Sequence, residues 1–291
     1  MLEIPLLYKD RRLEGETTLR QCQLVQLHLL YVFDAICKEY NLTYFLGGGT
    51  LLGAMRHGGF IPWDDDLDVG MPMKDYKRFL KIAPAVLPKD VLLQTPKTNP
   101  STAISFSKLR DVYSFYYDTT LPVRSTDCMG IFIDIFPYEK MPNIGNGLRL
   151  FLLRSVAHCY RRKVSSFNDL RNSVTRALLG IMEHILYSFL HCFIRMIISS
   201  LKIVFPCRTV YIQLENGYRV CYEMKWFTPI KMMEFEDGVF PVPNRPDAFL
   251  TAQYGSWREI PPQDKRPHHA TIILPTQAPD LSWAKKWTSN V

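Results

Sequence analysis

The densest chemistry in this chain lies between positions 44 and 70, in the run YFLGGGTLLGAMRHGGFIPWDDDLDVG. Three consecutive glycines, Gly47, Gly48 and Gly49, are followed by four carboxylates within five residues: Asp64, Asp65, Asp66 and Asp68. The alternation Asp66-Leu67-Asp68-Val69 reads as a strand, and on a strand Asp66 and Asp68 project to the same side, roughly 7 Å apart. Two hard oxygen ligands at that spacing can hold Mg²⁺ or Mn²⁺ between themselves and a substrate phosphate. Asp65 faces the other way, and Asp64 stands at the strand entrance. Carboxylates packed this closely repel one another, which a cation relieves. The competing reading is a solvated acidic turn, but Trp63 and Val69-Gly70-Met71 flank these acids with apolar residues.

Other stretches carry groups that suit the same chemistry. Glycine lets the backbone approach a ligand closely. Thr50 is expected to cap a short helix over Leu51–Arg56, whose free N–H groups, beside Gly48 and Gly49, would form a phosphate site. The run GIFIDIFP, Gly130 to Pro137, is apolar except for Asp134. A lone carboxylate there is costly unless paired or bound to metal, so it reads as a third ligand. In ISFSKLRD, Ile104 to Asp111, a strand puts Lys108 and Arg110 on one face, either as phosphate contacts or as a solvent-facing basic edge. The loop containing Lys265, Arg266, His268 and His269 is dense in groups that bind phosphate or move protons.

The elements that must position these groups are legible from period and punctuation. Cys22, Val25, Leu29, Val32, Ile36 and Tyr40 predict a helix from Thr17 or Thr18 to about Tyr40, with one buried face. Thr43 to Leu46 and Val91 to Gln94 read as strands. Lys74 to Ala83 reads as a helix ended by Pro84 and Pro88. Residues 137 to 147 read as a break, and Asp237-Gly238 as a hairpin turn. Asp247 to Tyr254 reads as a short helix.

From about Leu148 to Phe205 the chain is helical, basic at first and then very apolar. Glu183, Arg195 and Lys202 argue against a transmembrane span there. His184, Ser188, His191, Arg195, Ser199 and Lys202 form a narrow polar stripe. Such a helix over 177–205 can make a peripheral membrane contact or bury itself against partner helices. The expected organisation is α+β: a core over residues 1–147, a helical insertion over 148–206, and a C-terminal part, 207–291, completing the catalytic domain.

The 291 residues are 47% hydrophobic and 22% charged, which excludes global disorder, and their formal charge of +7 suits a phosphate-bearing partner or an anionic surface. The basic residues are spread along the chain and no nucleic acid is expected. Seven cysteines, an odd number with no C-x-x-C pair, exclude a fully paired disulfide framework and favour free thiols in a cytoplasmic setting. No signal peptide is read at the N-terminus.

Four segments together resemble the LicD family, named for bacterial phosphocholine transferases and including the fukutin-related proteins. They are Gly48 to Asp68, Lys108 to Asp111, Gly130 to Pro137, and Tyr254-Gly255 through Lys265-Arg266 to His268-His269. The resemblance implies a nucleotidyltransferase-like mixed sheet. It also implies metal-dependent transfer of a phospho-alcohol group, such as phosphocholine, from a CDP-linked donor to a sugar hydroxyl of a glycan or lipid-linked glycan, with release of CMP. Asp66, Asp68 and Asp134 then hold the metal and act in catalysis. Gly48, Gly49, Thr50, Arg56, Lys108 and Arg110 meet the donor phosphates, and the Lys265–His269 loop assists. Two other readings stay open: attachment of NMP with pyrophosphate release, and a non-catalytic scaffold at a membrane. The expected location is cytoplasmic, with peripheral contact at the inner face of the membrane if 177–205 meets lipid.

Overall fold

The periodic run after Thr17 forms α1, Thr18–Glu39, in a computed structural model that describes residues 9–99, 104–117, 129–169, 174–212, 220–266 and 272–276. The Thr17 hydroxyl accepts a hydrogen bond from the Arg20 N–H at 3.1 Å, satisfying one of the first-turn donors that no helical carbonyl can reach. Cys22, Val25, Leu29, Val32 and Ile36 are all buried, as their spacing requires.

Two compact units divide the chain. The first is assembled from Met1–Gln94, Ser107–Pro137 and Trp226–Val291; the second from Thr95–Phe106 and Tyr138–Lys225. In the first, strands β1 (Phe45–Leu46), β2 (Asp68–Pro72), β3 (Val91–Gln94), β4 (Ser107–Asp111) and the start of β6 (Phe132–Met141) lie in the order β1-β2-β6-β4-β3. Antiparallel pairing joins β1 to β2, β3 to β4, and β4 to β6. Helix α2 (Gly48–His57) follows β1, and α3 (Met73–Val86) follows β2. Two small sheets complete the unit: β5 (Phe115–Tyr117) with β11 (Ile272–Leu274), and a hairpin of β9 (Lys231–Phe235) and β10 (Gly238–Val242) turning at the expected Asp237. Helix α6 spans Pro246–Tyr254. Phe45, Phe227 and Phe249 meet edge to face with ring centres 5.2 to 6.2 Å apart, locking the late-sequence elements onto β1. The fold is α+β, as expected.

Two local expectations are corrected. Pro84 does not end α3, which continues to Val86 and closes with the Leu87 N–H on the Ala83 carbonyl at 3.0 Å. A proline this near a helix end removes one backbone donor, and the remaining turn tolerates that loss. The break expected over 137–147 is shorter, because β6 runs on to Met141 and a helix starts at Asn146. Pro137 falls between the residues registered on β4 and those registered on the next partner strand.

In the second unit the end of β6 pairs with β7 (Thr209–Ile212), which pairs with β8 (Tyr222–Glu223). Helices α4 (Asn146–Asp169) and α5 (Val174–Val204) run antiparallel. Their direction follows from their contacts: Arg162 with Glu183 at 3.2 Å, His184 Nδ1 with the Lys163 carbonyl at 3.1 Å, and the Tyr160 and His191 rings 6.0 Å apart. Leu152, Leu153, Val156 and Ile198 close the core between them. The polar stripe of α5 turns toward the unit's interior except at Ser199, which is exposed. Arg195 Nη1 and Lys202 Nζ lie 2.9 and 3.2 Å from Oε2 of Glu139, a buried residue of β6.

One ion pair closes the first unit. The buried Arg12 guanidinium donates from Nη2 and Nη1 to the two carboxylate oxygens of buried Asp111, at 2.6 and 3.1 Å, and Nη1 also donates to the Pro275 carbonyl at 2.6 Å. Removing one partner of such a pair leaves the other charge buried. Because Arg12 Nε still donates to Asp10 at 2.7 Å, Asp111→Ala is expected to lower stability by about 3 kcal/mol, the low end for a broken buried pair, measured as a shift of the urea midpoint at unchanged slope.

Candidate functional site

The site begins with a backbone constraint. Register pairs Phe45 with Gly70 and Leu46 with Val69, and the Gly47 N–H donates to the Asp68 carbonyl at 3.0 Å. The glycine turn is thereby held against Asp68. Gly48 has φ +48°, in the left-handed region, and a Cβ there would collide with the Asp68 carboxylate. A Cβ at Gly49 would lie 2.8 Å from Asp64 Oδ2 and 3.9 Å from Asp66 Oδ1. The glycines are needed because carboxylates occupy the space that side chains would fill.

Thr50 has a different position from the one expected. Helix α2 starts three residues earlier than expected, at Gly48, with Gly47 as its cap residue. Thr50 is buried inside the helix, and its hydroxyl accepts from the Asp68 N–H at 2.7 Å. It therefore fixes β2 to the glycine turn. The strand itself starts at Asp68, so Asp66 belongs to the preceding loop, yet the alternation persists: Leu67 and Val69 are fully buried while Asp66 and Asp68 keep some access to solvent.

Asp134 arrives from β6. Its N–H donates to the Leu67 carbonyl at 2.8 Å, and its register partner on β4 is Lys108. The Lys108 ammonium lies 2.6 Å from Asp134 Oδ1 and 3.4 Å from the centre of the Phe132 ring. The Arg110 guanidinium stands 4.8 Å from the same ring, with Nε donating to Gln94 Oε1 and Nη1 to the Gly130 carbonyl, each at 2.6 Å. Lys108 and Arg110 share a face, as their spacing predicts. Both are buried, 7% and 8% exposed, because β4 is an interior strand; the solvent-facing basic edge is excluded.

Crowding sets the electrostatics. Burial first, and then the charges of Asp66, Asp134 and Asp64, hold the Asp68 carboxyl well above the usual range. Burial and the neighbouring Asp66 push Asp64 up to about 8. Burial raises Asp134 and lowers Lys108, each partly offset by the other's charge.

Asp64 and Asp65, which look alike in sequence, separate here. Asp65 is buried, accepts from the Tyr116 hydroxyl at 3.2 Å, and has its carbonyl held by the Gln26 amide at 2.7 Å. Gln23 likewise donates to the carbonyls of Ile61 and Asp64, at 3.3 and 3.0 Å. Asp64 instead joins the cluster beside Gly49 and Asp66. The signal for it is parity, since 64, 66 and 68 are successive even positions. Nothing in the local sequence marks Gln23, Gln26 or Tyr116.

The remaining expected residues form a separate group. Arg56 donates from Nη1 to the carbonyls of Trp257 and Glu259, at 3.2 and 3.3 Å, tying α2 to the loop after α6. Arg266 places its guanidinium 3.9 Å from the centre of the Trp63 ring, next in sequence to Asp64. Lys265 is exposed to solvent. His268 and His269 lie outside the described residues.

Asp64, Asp66, Asp68 and Asp134 offer only hard oxygen donors, faced by two cations, Lys108 and Arg110. In kind and in charge that set fits Mg²⁺ or Mn²⁺. It is not a preformed cage: among the described residues no three His, Cys, Asp or Glu groups already converge on one point.

The lipopolysaccharide cholinephosphotransferase LicD of Haemophilus influenzae is 31% identical over 276 residues, which is 87% of this chain and 96% of that protein. The chain belongs to the LicD family. The family model described as LicD/FKTN/FKRP, nucleotidyltransferase domain, matches residues 41–147, the stretch that holds the glycine turn and Asp64, Asp66, Asp68 and Asp134. The human ribitol 5-phosphate transferase FKRP is 59% identical over 40 residues, 14% of this chain and 8% of that protein. An uncharacterised protein of Rickettsia prowazekii, RP689, is 39% identical over 76 residues, 26% of this chain and 27% of that one.

The raised carboxyl gives a test of the crowding. A folded-state pKa above the unfolded value contributes stability that is complete at low pH and lost as pH rises through the folded value. With the Asp64 carboxyl pushed up to about 8, chelator-treated protein is expected to lose stability, on the order of 1 kcal/mol, between about pH 7 and pH 9. Asp64→Asn flattens that slope in denaturant titrations at the two pH values. An equal slope in the variant counts against Asp64 as part of the cluster.

Proposed function

We propose that this chain transfers a phospho-alcohol group, phosphocholine or a related alcohol phosphate, from a CDP-linked donor to a sugar hydroxyl of a glycan or lipid-linked glycan, releasing CMP. The observation that carries this reading is the packing of Asp64, Asp66 and Asp68 against a glycine turn, with Asp134 bonded to the same strand entry at Leu67, in a chain alignable over most of its length with a cholinephosphotransferase. Free thiols at Cys22, Cys37, Cys159, Cys192, Cys207 and Cys221 support a reducing, cytoplasmic setting; Cys128 lies outside the described residues.

Phosphoryl-type transfer depends mainly on positioning and on stabilising charge. Asp66, Asp68 and Asp134, with Asp64 beside them, would hold Mg²⁺ or Mn²⁺. When bound, the ion draws negative charge from the donor diphosphate. The N–H groups of Gly48 and Gly49, at the start of α2, have no helical acceptor and present donors to a phosphate. Lys108, buried and unable to swing away, offsets the charge that develops on the transferred group. A carboxylate of the cluster, Asp134 first, takes the proton of the acceptor hydroxyl as the new O–P bond forms and the bond to CMP breaks. Arg56 acts at one remove, through the loop that carries Lys265 and Arg266.

A second reading, NMP transfer with release of pyrophosphate, draws on the nucleotidyltransferase description of the matched domain. Product analysis separates the two: free CMP supports the first and pyrophosphate the second. A non-catalytic scaffold has no use for four crowded carboxylates. Asp68→Asn is expected to lower turnover at least ~10²-fold with an unchanged circular-dichroism spectrum. Mass spectrometry of products from CDP-choline and CDP-ribitol with glycan acceptors reads both the activity and the group transferred. Full activity in the variant excludes this site.

A further inference from the structure

The second unit contains a helix with two apolar faces. On α5 the charged side chains Arg195 and Lys202 reach inward onto Glu139, beside the core residue Ile198, and a separate stripe of large apolar side chains faces out. Met182, Ile185, Leu186, Phe189, Phe193 and Met196 are exposed, with Met182, Phe189 and Ile185 between 64% and 68% open to solvent. At helical pitch these six span an arc of roughly 100°, and the stripe continues to Ile203, 88% exposed. From Met182 to Ile203 it is about 32 Å long.

From this face we infer that α5 lies in the plane of an anionic lipid bilayer, with its outward stripe sunk into the headgroup boundary. Charge decides the occupant. Residues 146–212 carry ten Lys or Arg against two acids, a formal +8, while the whole chain is +7, so the rest of the molecule is close to neutral. Arg154 and Arg161, exposed on α4, make no ion pair among the described residues, and Arg208 is exposed just beyond α5. An apolar stripe on a cationic body is the pattern that anionic lipid surfaces bind. A second copy of this chain would bring two such positive segments together, which repel. Nucleic acid would meet the charge and leave the apolar stripe in water.

The helix lies on the bilayer and does not cross it. Gly180–Val204 is long and apolar enough to span by length and composition. Its inner face, however, is fastened through Arg195 and Lys202 to a β-strand carboxylate, and crossing would drag that strand and the α4 arginines into hydrocarbon. The contact with lipid stands without the transferase reading. Only its use, meeting a lipid-linked acceptor at the surface, rests on that reading.

Flotation of the full chain with phosphatidylcholine vesicles, with and without phosphatidylglycerol, tests the inference. The protein is expected to float with the anionic vesicles and to be released as salt rises. The double substitution Phe189→Asp, Phe193→Asp, at exposed positions, is expected to lower the bound fraction at least about tenfold with circular dichroism and activity on a lipid-free acceptor unchanged. Failure of the wild-type chain to float, or equal flotation of the variant, overturns the inference. So does a wild-type dimer on sizing that the variant abolishes, which would give the face to a second copy. Because flotation is read without substrate, its result is independent of whether CMP is ever released.

Discussion

Crowding of like charges is the constraint around which the first unit is built. Asp64, Asp66, Asp68 and Asp134 sit close enough to raise one another's affinity for protons, and burial adds to the effect. Left to itself, such a loop would open. It is held by its backbone groups, which both backbone and side-chain partners grip. The Gly47 N–H takes the Asp68 carbonyl, the Thr50 hydroxyl takes the Asp68 N–H, and the Leu67 carbonyl takes the Asp134 N–H. From the opposite side the α1 amides of Gln23 and Gln26 hold the carbonyls of Ile61, Asp64 and Asp65. These bonds are made to backbone groups of the loop and strands and spare the carboxylate oxygens, of which Asp134 Oδ1 is paired with Lys108. The acids are therefore presented rather than merely tolerated.

The cationic side of the site is equally rigid. Lys108 is fixed by the Phe132 ring below it and by Asp134 beside it, and Arg110 is fixed by Gln94 and the Gly130 carbonyl. Gly130 has a matching requirement, because a Cβ there would strike the Asp111 carbonyl. A charge that cannot move costs little reorganisation when a substrate's charge develops beside it. Lysine on a flexible surface stem would have to be ordered at each turnover; this one is ordered by folding.

Much of this was readable in the residues, and the failures share a physical cause. Alternation correctly grouped Asp66 with Asp68 and Lys108 with Arg110, because strand parity is local. Helical spacing likewise grouped the polar stripe of α5. Period, however, says which residues share a face and not which way the face points. The direction depends on Glu139, 56 residues before Arg195, and no local pattern discloses that partner. The same limit explains Thr50. Its type suits a helix cap, but the start of α2 is set by the pairing of β1 with β2 across the loop. Burial of Lys108 and Arg110 follows from β4 lying between β6 and β3, a fact of topology with no counterpart in the eight residues around them.

The ion pair at Arg12 has a bearing on how the molecule is made. Its guanidinium reaches Pro275, 263 residues away, and Arg20 meets Glu236 across 216. The first unit is thus sewn from the two ends of the chain, while most of the second lies in one continuous stretch between them. On a ribosome, at about 5–20 residues per second, the glycine turn and its acids emerge many seconds before the segments that close over them. The second unit completes its own helical hairpin in that interval. Closure of the first unit is therefore a late event: the bonds that gather the four acids lie within residues 23–134, whereas the partners that fasten Arg12 and Arg20 arrive only after the helices of the second unit have been made.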